Sequence, residues 1–253
     1  MDSLASSSVP PLAPGVYLVG TPVGNLEDVT LRALRVLTAA NVLACEDTRV
    51  TRKLFQRYGI PAPKAIFSCR GQNERVVSKR LARLAAEGKA VAYCSDAGMP
   101  GISDPGRHIA LAARAAFVPL EVVPGPSAVT AALALCGLVA TPFTFFGFPP
   151  RRDGRLADIL AAHGGLRPAL VFYESPRRLA RLLAIAVERL GPERRAAVCL
   201  ELTKKFERTI TGSAAALADR FAVEETRGEA VVVFEGGAFR REEEEEGGLE
   251  SDR

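Results

Sequence analysis

The amino-acid sequence of 253 residues predicts an α/β fold, with two α/β domains in series. Short, nearly continuous apolar segments alternate with segments of helical periodicity. This pattern is typical of parallel strands in a sheet that helices cover on both faces. The alternation pauses in a region near residues 125–141 and then begins again. Polar residues cluster where the apolar segments end, which is where sheets of this kind bind ligands.

The first half of the chain contains five predicted strands and four predicted helices. The apolar segments interpreted as strands are residues 15–21, 42–45, 65–69, 90–95 and 120–123. The segments between them that are predicted as helices are residues 28–40, 48–58, 73–87 and 105–117. Gly59 is expected to end the second helix. Asp104 is expected to cap the fourth, with Pro105 in its first turn.

A helix predicted over residues 127–138 leads into the second half, where the pattern restarts. The segments interpreted as strands are residues 143–148, 169–173, 196–202 and 229–235. The segments predicted as helices are residues 154–162, 176–190 and 213–225, with Ser175 as the cap of the 176–190 helix. We therefore expect an N-terminal α/β domain at 15–125 and a C-terminal α/β domain at 126–238, with a ligand cleft between them.

Both ends of the chain differ from the rest in composition. Residues 1–14 are rich in Ser, Ala and Pro, and residues 239–253 contain five consecutive Glu, so both segments are predicted to be disordered. The formal net charge of the chain is +4, but residues 1–14 carry −1 and residues 239–253 carry −4. Residues 15–238 therefore carry +9, a basic balance that suits an RNA partner.

The rare residue types exclude several kinds of site. There are two His and five Cys, no His lies near a Cys in sequence, and no two Cys have zinc-motif spacing, so no metal site is predicted. Neither a G-x-S-x-G nucleophile motif nor a G-x-x-x-x-G-K-[ST] phosphate motif is present. No apolar run approaches the roughly 18–20 residues of a membrane helix. Most Cys lie in apolar segments and are interpreted as reduced core residues of an intracellular protein.

The loops at several predicted strand ends contain unusual numbers of Gly, Pro and charged residues. They are residues 20–25, 46–49, 95–106, 124–128, 173–176 and 201–205. The first resembles a nucleotide-binding turn but lacks G-x-G-x-x-G, which favours a simple tight turn and disfavours a nicotinamide dehydrogenase. In the second, Asp47 or Thr48 as a helix cap is an equally good structural interpretation. The third has more small residues than a turn needs, and these would let a ligand approach the backbone.

Nine short motifs follow one another between residues 15 and 236. They are G-T-P-V-G-N-L-E-D, E-D-T-R, N-E, S-D-A-G-M-P-G-I-S-D-P-G, P-G-P-S-A, G-F-P-P, F-Y-E-S-P-R-R-L, E-L-T-K and R-G-E, which begin at Gly20, Glu46, Asn73, Ser95, Pro124, Gly147, Phe172, Glu201 and Arg227. In this order they resemble the tetrapyrrole methylase superfamily of S-adenosylmethionine-dependent methyltransferases. Within it, the sequence is most similar to the ribosomal RNA small subunit methyltransferase I branch.

The resemblance implies 2′-O-methyl transfer from S-adenosylmethionine to a cytidine ribose in the decoding region of small-subunit ribosomal RNA. It also implies a homodimer, a mostly parallel N-terminal sheet, a mixed C-terminal sheet and a cofactor between the two domains. The positions that match the family's cofactor loops are Asp96, Ala97, Gly98, Ile102, Ser103, Asp104, Ser127 and Ala128. In the second domain, Tyr173 and Leu202 are expected to cover the adenine.

A ribose hydroxyl is a poor nucleophile, so methyl transfer to it needs alignment with the methyl group and help from a base or a cation. Because His is so rare, carboxylates and Lys are the candidates. The expected catalytic residues are Glu46, Asp47, Asn73, Glu74, Glu201 and Lys204. Lys204 is expected to stabilise a forming alkoxide, or to act as the base if burial lowers its pKa. The structural alternative is an exposed basic pair with Lys205.

Clusters of basic residues are candidates for RNA contact, because phosphates attract cations. The clusters are Arg49/Arg52/Lys53/Arg57, Arg151/Arg152/Arg155 and Arg177/Arg178/Arg181. The residues among them that we expect to bind RNA are Arg49, Arg52, Arg151, Arg152 and Arg177. A charged helix face is more often simply solvated, so that interpretation of each cluster stays open.

The sequence departs from the family pattern in two places. Met99 stands where the family usually has Thr, and residues 69–72 stand where bacterial members often have His and Asp.

Two other functions also stay open. One is a related methylase acting on a tetrapyrrole or another small substrate, and the other is a non-catalytic RNA-binding module of the same fold. A bacterial cytoplasm is the expected compartment, with a plastid or mitochondrion as the alternative if residues 1–14 are a transit-peptide remnant.

Overall fold

A computed structural model describes residues 9–61, 63 and 65–237 of the chain. The described residues divide into two compact units, one up to Ser127 and the other from Ala128 onwards. None of the helices in these ranges combines the length and apolar character that a membrane crossing needs. The terminal segments predicted to be disordered lie mostly outside the described residues, although Leu12 packs against the core of the first unit.

The first unit is a five-stranded parallel sheet with one α-helix between each pair of successive strands. Its strands are β1 (Gly15–Val19), β2 (Val42–Cys45), β3 (Ala65–Ser68), β4 (Ala90–Cys94) and β5 (Leu120–Val123). Its helices are α1 (Leu31–Ala39), α2 (Thr48–Tyr58), α3 (Glu74–Ala86) and α4 (Arg107–Ala115). The strand order β3-β2-β4-β1-β5 and the pairings confirm the predicted parallel sheet.

Alternate residues of β4 face two separate hydrophobic clusters, because side chains of a strand point in turn to the two faces of its sheet. Ala92 and Cys94 pack with residues of α1 and α2, whereas Val91 and Tyr93 pack with residues of α3 and α4. Helices thus cover both faces, which explains the continuous apolar strands in the sequence. All five cysteines of the chain are buried and free, which confirms their interpretation as core residues.

The start of α4 differs from the prediction. The helix begins at Arg107 after Gly106, and Asp104 does not cap it. Instead, the backbone N–H groups of Gly106 and His108 both donate to Oε1 of Glu74, each at 2.8 Å. The N–H groups at this helix end therefore take their acceptor from α3, more than thirty residues earlier in the chain. A local sequence pattern carries no sign of such a cap.

The second unit is a five-stranded mixed sheet with the order β6-β7-β10-β8-β9. Its strands are β6 (Phe143–Phe145), β7 (Ala169–Glu174), β8 (Arg195–Leu200), β9 (Arg208–Ser213) and β10 (Ala230–Phe234). Its helices are α5 (Ala128–Leu135), α6 (Asp153–His163), α7 (Leu179–Leu190) and α8 (Ala214–Val223). Only β6 and β7 pair in parallel, so the mixed sheet that the resemblance implies is confirmed.

Two elements of the second unit depart from the prediction. Strand β9 was not expected, because this edge strand has Thr and Gly residues of mixed exposure instead of an apolar run. The helix expected from residue 176 begins with a 3₁₀ turn at Pro176–Arg178, and α7 proper starts at Leu179. Ser175 precedes that turn, but its side chain makes no capping hydrogen bond. The remaining predicted strands and helices of this half are present.

The two faces of the second sheet are covered unequally. Helices α6, α7 and α8 pack on one face through leucines that include Leu160, Leu182 and Leu217. Helix α5 packs on the other face, where Val129 and Ala132 share a cluster with Leu202 and the partly buried Tyr173. The predicted adenine-covering residues therefore lie on the face that carries a single helix.

Candidate functional site

The polar loops of the first unit converge on one edge of its sheet. Because all five strands run parallel, their carboxyl ends lie at the same edge. In the sheet order, the residues that follow these ends are Arg70 after β3, Glu46 after β2, Asp96 after β4, Gly20 after β1 and Gly125 after β5. The fold thus brings together loops that the sequence spreads over about half of the chain.

Backbone hydrogen bonds, a thioether contact and a close approach of two glycines hold the loops after β1, β4 and β5 to one another. Thr21 and Gly98 exchange two backbone hydrogen bonds of 2.9 and 3.1 Å, and Gly98 has a φ of +71° that favours glycine. The thioether sulfur of Met99 accepts the N–H of Gly125 at 3.2 Å. A Cβ on Gly20 would lie only 2.7 Å from the Cα of Gly125, so Gly20 permits this close approach.

Two carboxylates, Glu46 and Asp96, connect the loops after β2 and β4. Oδ1 of Asp96 accepts the N–H of Asp47 at 2.8 Å. Burial, reinforced by the charges of Asp104 and Asp96, raises the pKa of Glu46, although a backbone hydrogen bond from Asp96 opposes this effect. Burial also raises the pKa of Asp96. A carboxylate whose pKa is raised in this way is suited to accept a proton near neutral pH.

Asp47 is instead committed to its own helix and to Arg49. Its side chain accepts the N–H of Arg49 as the cap of α2, and the Arg49 guanidinium lies 2.5 Å from Oδ2. These hydrogen bonds hold the pKa of Asp47 well below its usual range. Asp47 is therefore the helix cap that the sequence offered as an alternative interpretation. It is also a weaker proton acceptor than Glu46, because its pKa is lowered.

Asn73 and Glu74 shape the loops beside the carboxylates. Oδ1 of Asn73 accepts the N–H of Arg70 at 2.7 Å, and its amide nitrogen donates to the carbonyl of Ser68 at 3.0 Å. Glu74 is buried, and its carboxylate holds the Gly106 end of the 95–106 loop. Both residues therefore hydrogen-bond to the backbone of the site.

The predicted cofactor residues of the first unit differ in exposure. Gly98 is buried, Asp96, Ala97 and Asp104 are half-buried, and Ile102 and Ser103 are exposed. Ser127 is half-buried at the end of this unit, and the half-buried Ala128 is the first residue of α5. Apart from Ala128, these residues lie in the loops that follow β4 and β5, at the same sheet edge as Glu46.

In the second unit, Lys204 links Glu201 to Glu229. Its Nζ lies 2.9 Å from Oε1 of Glu201 and 2.7 Å from Oε2 of Glu229. Burial lowers the pKa of Lys204, but the hydrogen bonds to Glu229 and Glu201 outweigh it, so the pKa is raised overall. Lys204 is therefore held as a cation, and the condition for its action as a base is not met.

The backbone around Lys204 is strained. Glu201 and Thr203 have φ angles of +51° and +65°, which cost non-glycine residues roughly 1 kcal/mol or more each. The N–H of Glu229 donates to Oε1 of Glu201 at 2.9 Å, which holds the turn in place. A side chain at Gly228 would collide with the Glu201 carboxylate, so glycine is needed in this R-G-E segment.

Tyr173 and Leu202 lie near the loop ends of the same unit. The ring of Tyr173 makes edge contacts with Phe145 and Phe148 at centroid distances of 4.8 and 5.5 Å. Leu202 is 5% exposed and packs against α5. Both belong to one hydrophobic cluster of the second unit, in which Leu202 is buried and Tyr173 partly buried.

The predicted RNA-binding arginines are all exposed. Arg52, Arg151, Arg152 and Arg177 lie on the surface, and the side chain of Arg49 is 80% exposed despite its pair with Asp47. Two partners of predicted site residues were missed, namely Arg70, which lies near Asp47, and Glu229, which binds Lys204. Glu174, which pairs with Arg178 of the third basic cluster, was missed as well. Glu174 and Glu229 stand in the F-Y-E-S and R-G-E motifs, so the motifs were the available signal.

Among the described residues, no group of three or more His, Cys, Asp or Glu is arranged to hold a metal ion.

Comparison with known proteins assigns the chain to a protein family. The sequence profile of the family described as Tetrapyrrole (Corrin/Porphyrin) Methylases matches residues 15–218. The chain belongs to this family. Its curated relatives include two proteins named ribosomal RNA small subunit methyltransferase I. One, from Mesorhizobium japonicum, is 44% identical over 92% of this chain and 79% of its own. The other, from Thermotoga maritima, is 38% identical over 87% of this chain and 98% of its own.

Solved structures with a similar fold agree with the assignment of the chain to the tetrapyrrole methylase family. Uroporphyrin-III C-methyltransferase from Thermus thermophilus has a TM-score of 0.60 and 28% identity, covering 88% of this chain and 94% of that one. A structure of that enzyme type in complex with S-adenosyl homocysteine has a TM-score of 0.61 and 25% identity, covering 89% and 99%. Diphthine synthase, at 14% identity and a TM-score of 0.67, shares the fold, with coverages of 87% and 89%.

Proposed function

We propose that the protein transfers a methyl group from S-adenosylmethionine to the 2′-oxygen of a cytidine in the decoding region of small-subunit ribosomal RNA. The observation that carries the proposal is its 44% identity, over most of both chains, to a protein named ribosomal RNA small subunit methyltransferase I. The basic body of the chain and the exposed arginines of both units support an RNA substrate.

The loops of the first unit fit the proposed cofactor. The close approach of Gly20 and Gly125 and the positive φ of Gly98 bring bare backbone to the edge where the loops converge. Backbone groups of residues 96–98, 102–104 and 127–128 would hold the methionine and adenosine parts of S-adenosylmethionine. When bound, the cofactor supplies an electrophilic methyl group on a sulfonium sulfur. In the second unit, Tyr173 and Leu202 would pack on its adenine.

Within this reaction, Glu46 is the proposed proton acceptor. Its carboxylate is half-buried, and its pKa is raised by burial and by the neighbouring Asp104 and Asp96. Asp47 is bound to Arg49, and Asp96 accepts a backbone N–H of the β2–α2 turn. Glu46 is thus the member of this cluster best suited to take the proton of a ribose hydroxyl.

Lys204 is the proposed cation that stabilises the ribose oxygen as it loses its proton. We expect Lys204→Ala to lower turnover on ribosomal RNA by about 10²-fold, the usual effect of removing one charge-stabilising group. Lys204→Arg, which keeps the charge, should retain more activity. Single-turnover transfer of labelled methyl measures this, and calorimetry checks cofactor binding. The exposed neighbour gives a matched control in Lys205→Ala, and near-normal turnover of Lys204→Ala with intact cofactor affinity would remove Lys204 from the mechanism.

The proposed partners are small-subunit ribosomal RNA or the assembled subunit, and a second copy of this chain. The bacterial relatives support a cytoplasmic location, and a plastid or mitochondrion is the alternative. Arg49, Arg52, Arg151, Arg152 and Arg177 would contact RNA phosphates, so affinity for RNA should fall steeply with salt.

A methylase of small tetrapyrroles is the second candidate, because uroporphyrin-III C-methyltransferase is a structural neighbour at 28% identity. Mapping of 2′-O-methyl groups in ribosomal RNA before and after deletion of the gene separates the two functions. Loss of one methyl group in the decoding region supports the proposal. An unchanged ribosomal RNA pattern together with a missing methylated tetrapyrrole would favour the second candidate.

A further inference from the structure

The loop that follows strand β6 is held in place from inside the second unit. We call residues 148–153 the arginine loop, with the sequence F-P-P-R-R-D. Arg178 donates to the carbonyl of Pro149 at 3.2 Å, and Arg181 donates to the carbonyls of Pro150 and Arg151 at 3.3 and 2.9 Å. Two arginines thus bind three successive carbonyls, which fixes the path of the backbone.

Both clamping arginines are themselves anchored by carboxylates. Arg178 lies 3.2 Å from Oε1 of Glu174, whose side chain is fully buried at the end of β7. Arg181 lies 2.5 Å from Oδ1 of Asp153 at the start of α6. The clamp therefore connects β7 and α7 to the arginine loop. Such preorganisation lowers the entropic cost when a loop binds a partner.

The outer surface of the arginine loop combines a bare aromatic ring with unneutralised charge. Phe148 is 62% exposed, and one ring edge contact joins it to Tyr173. Segments 148–155 and 173–181 contain six arginines and two carboxylates, and both carboxylates serve the inner clamp. Arg151, Arg152 and Arg177 are exposed. An exposed ring beside cations suits unpaired RNA, whose bases stack on aromatic side chains while its phosphates attract arginine.

We propose that the arginine loop, together with Arg177 next to the clamping Arg178, is a preformed docking surface for single-stranded RNA, in which Phe148 stacks on an unpaired base and Arg151, Arg152 and Arg177 bind the flanking phosphates. The proposal deepens the proposed function and rests on it for the choice of ribosomal RNA. It assigns Phe148 a role in distinguishing unpaired from paired RNA. Arg178 and Arg181 are positioning residues that act through the loop.

Binding of labelled RNA, followed by fluorescence anisotropy over a series of salt concentrations, tests this surface. The probes are a short single-stranded RNA with the decoding-region sequence and a fully paired duplex of the same length. We expect Phe148→Ala to weaken binding of the single strand about tenfold, with a smaller effect on the duplex and an unchanged salt slope. Arg152→Gln should weaken both probes and reduce the salt slope by about 1. Phe148→Tyr should restore binding of the single strand.

Arg189→Gln on α7 removes the same charge from an exposed position of the same unit, and should change little. Arg181→Met tests the clamp: it should weaken RNA binding and raise KM for RNA while kcat and cofactor affinity hold. The proposal would be overturned if Phe148→Ala bound the single strand and the duplex as tightly as the wild type does. If the wild type binds single strands through Phe148 but methylates no RNA, the proposed function fails and the docking surface stands. If the wild type methylates RNA but the variants bind both probes normally, the docking surface fails and the proposed function stands.

Discussion

Glu46→Gln is expected to lower the rate of methyl transfer to ribosomal RNA by about 10²- to 10⁴-fold, because a glutamine amide cannot accept the hydroxyl proton. The change is nearly isosteric, so affinity for S-adenosylmethionine should stay within a few-fold of the wild type. Because the pKa of Glu46 is raised above its ordinary value of 4.5, the wild-type rate should increase with pH through a limb that lies above that value. Single-turnover rates over a pH series measure both effects.

The matched control for this variant is Glu27→Gln, which makes the same chemical change at an exposed residue of the same unit. It should leave the rate and the pH profile unchanged. A Glu46→Gln protein that keeps the rate and the acidic limb of the wild type would show that another group accepts the proton.

Glu74→Ala is expected to reduce the free energy of unfolding by roughly 3 kcal/mol, because one buried and one partly buried backbone N–H group lose a charged acceptor. In a chain of this size, that corresponds to a fall in Tm of about 6–12 °C. The Ser95–Gly106 loop also loses its anchor at Gly106, so affinity for S-adenosylmethionine should fall as well. Thermal unfolding and calorimetric titration measure these changes.

A graded series makes the test of Glu74 specific. Glu74→Gln keeps an acceptor oxygen and should lose less stability than Glu74→Ala. Glu87→Gln removes an exposed carboxylate that pairs with Arg83 near the end of the same helix, and such surface pairs contribute little. Equal stability of all three variants would mean that Glu74 does not anchor the loop.

The fold could be predicted well from the sequence where local signals decide it. The three inner strands of the first unit, β1, β2 and β4, are buried on both faces, so they stand out as apolar runs between helices. Strand β9 has no such run, because it lies at the sheet edge with mixed exposure. Its pairing with β8 makes it a strand, and that pairing is invisible in a local pattern.

The candidate site could be predicted as a set of loops, but not as a set of roles. The parallel strand order explains why residues 46, 70 and 96 meet at one edge. The use of Glu74 by a distant helix end depends on tertiary packing. Glu229 helps to raise the pKa of Lys204, and the antiparallel pairing of β10 with β8 brings it near the end of β8.

The most direct test of the proposed function uses purified protein, labelled S-adenosylmethionine and small ribosomal subunits from cells that lack the corresponding methylation. After the reaction, the ribosomal RNA is digested to nucleosides and the label is identified by mass spectrometry. The proposal predicts label in 2′-O-methylcytidine, mapped to one position of the decoding region, and almost none with Glu46→Gln. Label in a base or at another ribose, or transfer to a tetrapyrrole with none to RNA, would contradict it.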